Sequence, residues 1–165
     1  MMGGRAMKAC SFTGHRRIKP NHKQAMSGLL LRAVNYAYEN GCREFFTGGA
    51  VGFDTEAART VLRFRIDHPD VRLILLLPCQ NQDDGWSDPQ RDSYEFILKT
   101  ADEIRYTSDY YHNGCMKIRN QALVDSCDIL VAYLSDSRSG AGQTVRMAEK
   151  QGKTVYNIYP TLENM

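Results

Sequence analysis

Apolar side chains along the chain follow two different spacings, and the change from one to the other predicts six strands separated by five helices. In residues 21–40, Met26, Leu30 and Ala33 follow one another at spacings of four and three positions, as on the buried face of a helix. Residues 71–77 are almost continuously apolar, which is typical of a strand buried on both faces. The predicted strands are 8–13, 44–47, 71–77, 103–106, 129–134 and 155–158, and the predicted helices are 21–40, 54–68, 88–98, 113–126 and 144–151.

The regular succession of strand and helix indicates the fold class. Such alternation favours a parallel sheet that is covered by helices on both faces. We therefore predict an α/β fold, namely a single Rossmann-like domain with a mainly parallel sheet. A length of 165 residues suits one domain with one core. The predicted domain spans residues 8–160, between a disordered N-terminal tail (1–7) and a C-terminal tail (161–165).

The composition narrows the cellular setting and the classes of partner. The formal net charge is +2, which is too small to mark a nucleic-acid binder, so nucleic acid is not the favoured partner. The five cysteines include no CxxC pair, which indicates a reduced, cytoplasmic protein without a disulfide framework or a zinc site. The longest useful apolar run, VRLILLL, is too short to cross a membrane, so no membrane partner is expected.

Four loops that follow predicted strands carry the residues of chemical interest. In an open parallel sheet, ligands bind at the carboxyl ends of the strands, near the point where the strand order reverses. The loops are 13–16, 47–52, 78–86 and 135–142, and the second and fourth are rich in glycine and lead into helices. A helix start offers unpaired N–H groups, and glycine lets a phosphate approach them without meeting a Cβ. These two loops are therefore predicted to hold an anionic group.

The glycine loops do not match the common nucleotide fingerprints. Their spacing is neither GxGxxG nor GxxxxGK[ST]. Phe46 and Thr47, at the end of the second predicted strand, are not the acidic residue that binds a ribose in NAD-type Rossmann folds. On its own, loop 47–52 also fits a tight turn in which Asp54 is a plain helix N-cap. The presence of another glycine loop, SGAG in loop 135–142, favours the ligand interpretation because it too follows an apolar strand.

Polar and aromatic side chains in these loops are candidates for ligand contacts. Arg16 is a candidate to pair with a phosphate or carboxylate, whereas Arg17 fits a solvated surface position. His15 either stacks on a base, donates to a phosphate or is satisfied by the backbone. Trp86 is either a stacking platform or a buried indole that fills a gap. Gln82 is a candidate to read a base edge through paired hydrogen bonds.

Other reactive residue types have a simpler interpretation. Cys79 fits a packing residue, because no neighbour in the sequence would lower the pKa of its thiol. Asp83, Asp84 and Asp88 fit a solvated acidic loop, so no metal site is predicted. The run YTSDYYHNG is a candidate wall of the crevice or a surface for self-association.

Taken together, the loops resemble those of a known superfamily. The segment TGGAVGFDTEAA is similar to the GGArGiDxxAH loop of the Smf/DprA proteins. The segments MKIRNQALVDSCDILVAY and SGAGQTVRMAEKQGKTVYNI resemble the second half of the same signature. The opening FTGHR, with Gln82 and Trp86 in the third loop, resembles the YpsA-like branch of the SLOG superfamily more specifically. The resemblance extends from Lys8 to Pro160, and the loops occur in the same order.

This resemblance implies a Rossmann-like sheet that binds a nucleotide or a nucleotide-derived ligand between the two glycine loops. LOG-type relatives are phosphoribohydrolases that use an Arg, matched here by Arg119, and a Glu within PGGxGTxxE. Met147 stands at the position of that Glu, and Glu149 lies two residues further on, on another side of the helix. Whether a reaction is catalysed therefore stays open. DprA-type relatives bind single-stranded DNA and a recombinase.

We accordingly expect a nucleotide-binding sensor or regulatory module whose small-molecule ligand is a nucleotide or an ADP-ribose-like molecule. The alternatives are a phosphoribohydrolase-like enzyme that cleaves a nucleoside monophosphate, and a DprA-like helper that binds single-stranded DNA. No cofactor is expected to be required, no metal site and no catalytic residue are assigned, and self-association as a homo-oligomer is a further expectation. The predicted ligand-binding residues are Gly14, His15, Arg16, Gly48, Gly49, Ala50, Gly52, Asp54, Gln82, Trp86, Arg119, Asn120, Ser139, Gly140, Gly142 and Thr144.

Overall fold

Six strands and six helices alternate along the chain in the computed structural model, which describes residues 8–136 and 138–165. The predicted tail 1–7 lies outside the described residues. The strands are β1 Ala9–Gly14, β2 Glu44–Thr47, β3 Arg72–Leu77, β4 Glu103–Tyr106, β5 Ile129–Tyr133 and β6 Thr154–Asn157. The helices are α1 Lys23–Glu39, α2 Phe53–Asp67, α3 Asp88–Thr100, α4 Cys115–Ser126, α5 Gly140–Lys150 and α6 Tyr159–Glu163.

The strands form one parallel sheet in the order β4-β3-β2-β1-β5-β6. β1 lies in the middle, and its Cys10 pairs with Phe45 of β2 on one side and Ile129 of β5 on the other. The chain builds outward from β1 to β4, then returns to place β5 against the free side of β1. The predicted α/β fold class is confirmed, and the point where the strand order reverses lies between β1 and β5.

Helices cover both faces of the sheet, because successive strand side chains point to opposite faces. Phe45 packs into the larger core with α1, α2 and α3, whereas its neighbour Phe46 packs on the other face with Leu123 of α4. Leu130 of β5 joins a further apolar cluster with Val145 of α5. The near-continuous apolar run of β3 follows from this arrangement, because Leu73 to Leu77 are buried on both faces.

The starts of two helices differ from the prediction. α2 begins at Phe53, after an N-cap position at Gly52, so Asp54 is not the N-cap. The Asp54 carboxylate instead accepts a hydrogen bond from the amide of Ala50, back in the loop. α5 begins at Gly140 and not at position 144, because the Ser139 side chain caps it.

The end of the chain is also corrected. Residues 159–163 form helix α6 and not a free tail, and its Leu162 is 3% exposed and packs with Ile158 in the larger core. The helix is also tied to the loop after β1, because the Lys19 ammonium contacts the carboxylate of Glu163. The domain therefore extends past the predicted boundary at residue 160.

Candidate functional site

A cavity of about 250 Å³ opens at the carboxyl ends of β1 and β5, where the strand order reverses. The loops after β1 and β2, the side chains of α4 and the first turn of α5 form its walls. The two glycine loops therefore lie at the same edge of the sheet. Nine of the predicted residues line the cavity: Gly14, His15, Arg16, Ala50, Asp54, Arg119, Asn120, Ser139 and Gly140.

Arg119 on α4 is the most deeply placed cation of the cavity, with 6% of its surface exposed. Its Nη1 donates to the carbonyl of Gly48 at 2.6 Å, and its Nε donates to Oδ1 of Asn120 at 2.9 Å. Burial lowers the pKa of the guanidinium, and the Asp54 charge acts in the opposite direction. Among the described residues, no carboxylate oxygen lies within 4.0 Å of Arg119. The positive charge is therefore buried against neutral acceptors.

Asp54 is the one carboxyl that lines the cavity in the described part of the chain, and it is 6% exposed. Its Oδ2 accepts a hydrogen bond from the Ala50 amide at 3.2 Å, which fixes the side chain. Burial raises the pKa of the carboxyl to about 6, against the opposing effects of Arg119, the Ala50 amide and Arg16. Removal from water disfavours the charged form, and the two cations only partly compensate.

The first turn of α5 lines the cavity through Ser139, Gly140 and Ala141. The Oγ of Ser139 accepts from the amide of Gly142 at 3.1 Å. The amides of Gly140 and Ala141 come first in the helix, where no intrahelical acceptor exists. A Cβ built on Gly140 would meet no heavy atom within 4 Å. This helix start is therefore uncovered on the side of the cavity.

His15 braces the two loops that flank the cavity. Its Nε2 accepts a hydrogen bond from the Ser135 amide at 2.9 Å, and its carbonyl accepts one from Phe53. The ring contacts Tyr133 and Tyr159 edge-on. Burial lowers the pKa of His15, with Asp136 acting in the opposite direction. This arrangement matches the alternative in which the protein itself satisfies the histidine.

The glycines of loop 47–52 leave space that the protein's own atoms occupy. A Cβ on Gly48 would lie 2.3 Å from Nη1 of Arg119, and one on Gly49 would lie 2.6 Å from Cδ2 of Leu77. A Cβ on Gly52 would lie 2.0 Å from the carbonyl oxygen of Arg16. The expectation that these glycines leave space for a phosphate is therefore corrected. Gly140 of the second loop does leave such space.

Gln82 and Trp86 lie outside the cavity lining. The Nε2 of Gln82 is 3.4 Å from the carbonyl oxygens of Gly48 and Gly49, so this buried side chain supports the first loop from behind. Trp86 packs edge-on against Tyr94, with ring centroids 5.1 Å apart. Both side chains have packing roles in this arrangement.

Two predicted residues of α5 also face inward. The Oγ1 of Thr144 donates to the carbonyl of Gly140 at 3.0 Å, and Gly142 is buried. Met147 packs against the apolar cluster between α4 and α5, and Glu149 is exposed. α5 therefore brings no carboxylate to the cavity. The described residues also contain no group of three or more His, Cys, Asp or Glu able to hold a metal ion.

Three cavity residues, Thr13, Leu123 and Ala141, were absent from the predicted set. Thr13 lies at the start of the predicted loop 13–16. Leu123 follows Arg119 by four positions on α4, so the helical repeat places both on one face. Ala141 lies inside the predicted loop 135–142, and its methyl side chain carries no polar group that would mark it as a ligand contact. No helix within the described residues has the length and apolar character needed to span a membrane.

Comparison with known proteins gives relatives over nearly the whole chain. Two of the similar proteins are UPF0398 proteins from Bacillus thuringiensis (strain Al Hakam) and Bacillus cereus (strain AH187). Each is 27% identical over 162 residues, which cover 93% of this chain and 88% of the relative.

Two solved structures share the fold. DNA processing protein A from Helicobacter pylori, described by its single-stranded DNA binding mode, superposes with a TM-score of 0.64 at 23% identity. The match covers 90% of this chain but only 63% of that protein. DprA from Streptococcus pneumoniae gives the same TM-score at 15% identity and is covered to 49%.

The family model described as the YspA SLOG family matches residues 12–162. That span contains both glycine loops, the Arg119 helix and five of the six strands in full. The resemblance seen in the loop motifs is confirmed, and the chain belongs to the YspA SLOG family.

Proposed function

We propose that the cavity binds the anionic group of a nucleotide or nucleotide-derived ligand, and that the protein serves as a sensor or regulatory module. The observation that carries this proposal is the buried guanidinium of Arg119, which has no carboxylate partner within 4.0 Å among the described residues. It lines the same cavity as the uncovered first turn of α5.

The electrostatics of the cavity favour an anion. Taking an arginine out of water costs free energy that a carboxylate or phosphate normally offsets. Backbone amides at a helix start add a partial positive charge, and Arg16 contributes a second cation. A phosphate in the cavity would therefore receive charge-assisted hydrogen bonds from two directions.

The volume of the cavity restricts the part of the ligand that is enclosed. Ligand clefts usually enclose about 300–1,000 Å³. At about 250 Å³, this cavity suits a phosphate with one adjoining group, while a base or second nucleotide half extends outside.

Thermal unfolding with a panel of nucleoside monophosphates and ADP-ribose tests the proposal. A ligand at a hundred times its Kd adds about 2.7 kcal/mol to the free energy of unfolding, a readily measured rise in Tm. Gly140→Asp places a carboxylate in the cavity without a steric clash, and Gly140→Ala is its neutral control. We expect the alanine variant to keep the ligand-induced shift and the aspartate variant to lose it. Equal shifts in both variants would refute an anion site at this helix start.

Binding of single-stranded DNA is a second candidate, favoured by a groove beside the cavity. The groove has a volume of about 480 Å³ and is lined by four cations and one carboxylate: Arg16, Arg17, Lys23, Arg59 and Glu56. The carboxylate of Glu56 lies 3.7 Å from the guanidinium of Arg59. Arg16 borders both the groove and the cavity. A backbone of phosphates fits this row of cations, and the Helicobacter pylori relative in fold is described by its binding of single-stranded DNA.

Retention of an oligonucleotide over a range of salt concentrations tests this second candidate. Arg17→Ala together with Lys23→Ala should reduce the slope of log affinity against log salt by roughly one unit for each cation removed. The same double variant should keep its nucleotide-induced Tm shift, because neither residue lines the cavity. Oligonucleotide retention that does not change with salt or with the double variant would exclude the groove.

A further inference from the structure

We propose that Asp54 accepts a hydrogen bond from a sugar hydroxyl of the ligand, so that the site selects a phosphorylated sugar over a bare phosphate. This inference rests on the proposed function and adds a specificity-determining residue to it. It names the enclosed part of the ligand as a sugar phosphate, such as ribose 5-phosphate or the same unit in a nucleoside monophosphate.

The geometry of Asp54 leaves one oxygen for the ligand. The carboxyl lies at the cavity wall, and Oδ2 accepts from the Ala50 amide at 3.2 Å. Oδ1 receives no hydrogen bond from any residue that the structure describes, and it is not among the fully buried atoms without a partner. A carboxylate oxygen is an acceptor only, so its partner must be a donor.

Asp54 does not act simply as the counter-ion of the buried arginine. The guanidinium of Arg119 donates to Gly48 and Asn120, and the carboxylate stays beyond 4.0 Å. A bare phosphate between Arg119 and the start of α5 would also face the negative charge of Asp54, to which it could donate no hydrogen bond when fully ionised. A ligand that carries both a phosphate and a hydroxyl satisfies the cationic and the acidic walls together.

Asp54 also supplies a carboxylate that is missing from the end of the second strand, where Rossmann folds usually carry it. Many Rossmann folds bind a ribose hydroxyl through an acidic residue near the end of the second strand. Here that strand ends at Thr47, whose Oγ1 is buried without a hydrogen-bond partner among the described residues. The first turn of α2 instead places a carboxyl at the cavity, and the enclosed volume suits a phosphate with one sugar.

Calorimetric titration with inorganic phosphate and with ribose 5-phosphate at pH 8 tests the inference. Asp54 is ionised at this pH because the pKa of its carboxyl is about 6. The wild-type protein should bind ribose 5-phosphate more tightly than phosphate. Asp54→Ala should weaken ribose 5-phosphate binding about 10- to 100-fold, the usual effect of losing a hydrogen bond to a charged group. The same variant should bind phosphate at least as tightly as the wild type, because a like charge has been removed.

Asp67→Ala is the matched control, since it removes one carboxylate from the opposite, exposed end of the same helix. It should leave both affinities unchanged. Titration of a nucleoside monophosphate then distinguishes a free sugar phosphate from a nucleotide as the ligand. Tm values measured without ligand identify any variant that fails to fold. If Asp54→Ala fails to fold, Asp54→Asn, which keeps the shape of the side chain, replaces it.

The outcomes separate the inference from the proposal beneath it. If the wild type binds neither phosphate nor ribose 5-phosphate, the anion site itself is refuted. If both ligands bind the wild type and Asp54→Ala weakens both equally, the residue only holds the Ala50 loop in place, and the inference is overturned. Unchanged ribose 5-phosphate binding in the variant also overturns it.

Discussion

Replacing Gly52 by alanine should destabilise the protein more than replacing Gly85 by alanine, although both glycines have nearly the same φ. The φ angles are 81° for Gly52 and 80° for Gly85. The two sites differ in their surroundings. A Cβ on Gly52 would lie 2.0 Å from the carbonyl oxygen of Arg16, whereas a Cβ on Gly85 would meet no heavy atom within 4 Å.

The difference between the two sites gives the expected magnitude. A positive φ costs a residue with a Cβ about 1–2 kcal/mol, partly offset by about 0.4–1 kcal/mol from a less flexible unfolded chain. Gly85→Ala should therefore lose about 1 kcal/mol. Gly52 has a ψ of −121°, outside the left-handed helical region and in a region that glycine alone enters readily, so its own backbone cost is at least as large. Gly52→Ala adds a collision with backbone, which cannot rotate away, and overpacking of this kind costs about 1–3 kcal/mol more.

Urea denaturation of the two variants and the wild type measures the comparison, with equal m-values as the check on a common unfolded state. Gly52→Ala should also weaken ligand binding, because Arg16 lines the cavity and must move with its carbonyl group. Losses that agree within about 0.5 kcal/mol would show that the close approach to Arg16 has no energetic consequence.

Four further outcomes are expected. Leu162→Ala should lower the free energy of unfolding by about 2–5 kcal/mol, whereas Met165→Ala, at a 76% exposed position, should change it by less than about 0.5 kcal/mol in the same denaturation assay. Tyr133→Phe should cost about 1–3 kcal/mol, because its hydroxyl bonds the buried His22 ring and accepts from the Lys19 amide; an unchanged Tm would contradict this. The native state keeps the Asp54 proton to higher pH than the unfolded chain, so the wild type should lose about 2 kcal/mol of stability relative to Asp54→Asn as pH rises from about 4 to 6; parallel pH profiles would refute the raised pKa of the carboxyl. Chromatography of nucleoside monophosphates incubated with the wild type and with Gly140→Asp tests the phosphoribohydrolase alternative: with Met147 at the position of the expected Glu, the two should release equal amounts of base, and more base from the wild type would favour the enzyme.

The periodic spacing of apolar residues predicted most of the fold. All six strands and the five predicted helices are found in the structure. Each element must bury its own apolar face, and this requires apolar residues at the spacing typical of a helix or a strand. The errors lie at helix starts and at the end of the chain. Asp54 is of a residue type that favours the N-cap position, but the helix has its N-cap at Gly52 and therefore starts two residues too early for Asp54 to act as the cap. α6 was missed because five residues are too few to show a periodic pattern.

The candidate site was only partly predictable. Parallel strands must bring their following loops to one edge, so the approach of Arg16, Asp54, Arg119 and Gly140 around one cavity could be expected. Trp86 and Gln82 were misplaced because their loop, although it follows a neighbouring strand, folds back against Tyr94 and the underside of the first glycine loop.

The sequence by itself determined the strand–helix order, the parallel sheet and the edge at which a ligand would bind, because these follow from local spacing and from chain connectivity. Only the tertiary structure decided what fills the space beside each glycine. Gly48 and Gly140 look alike in the sequence, yet one is covered by the Arg119 guanidinium and the other faces open space. Close packing between residues distant in the chain determines whether the space beside a glycine is filled, and no local sequence pattern indicates the outcome.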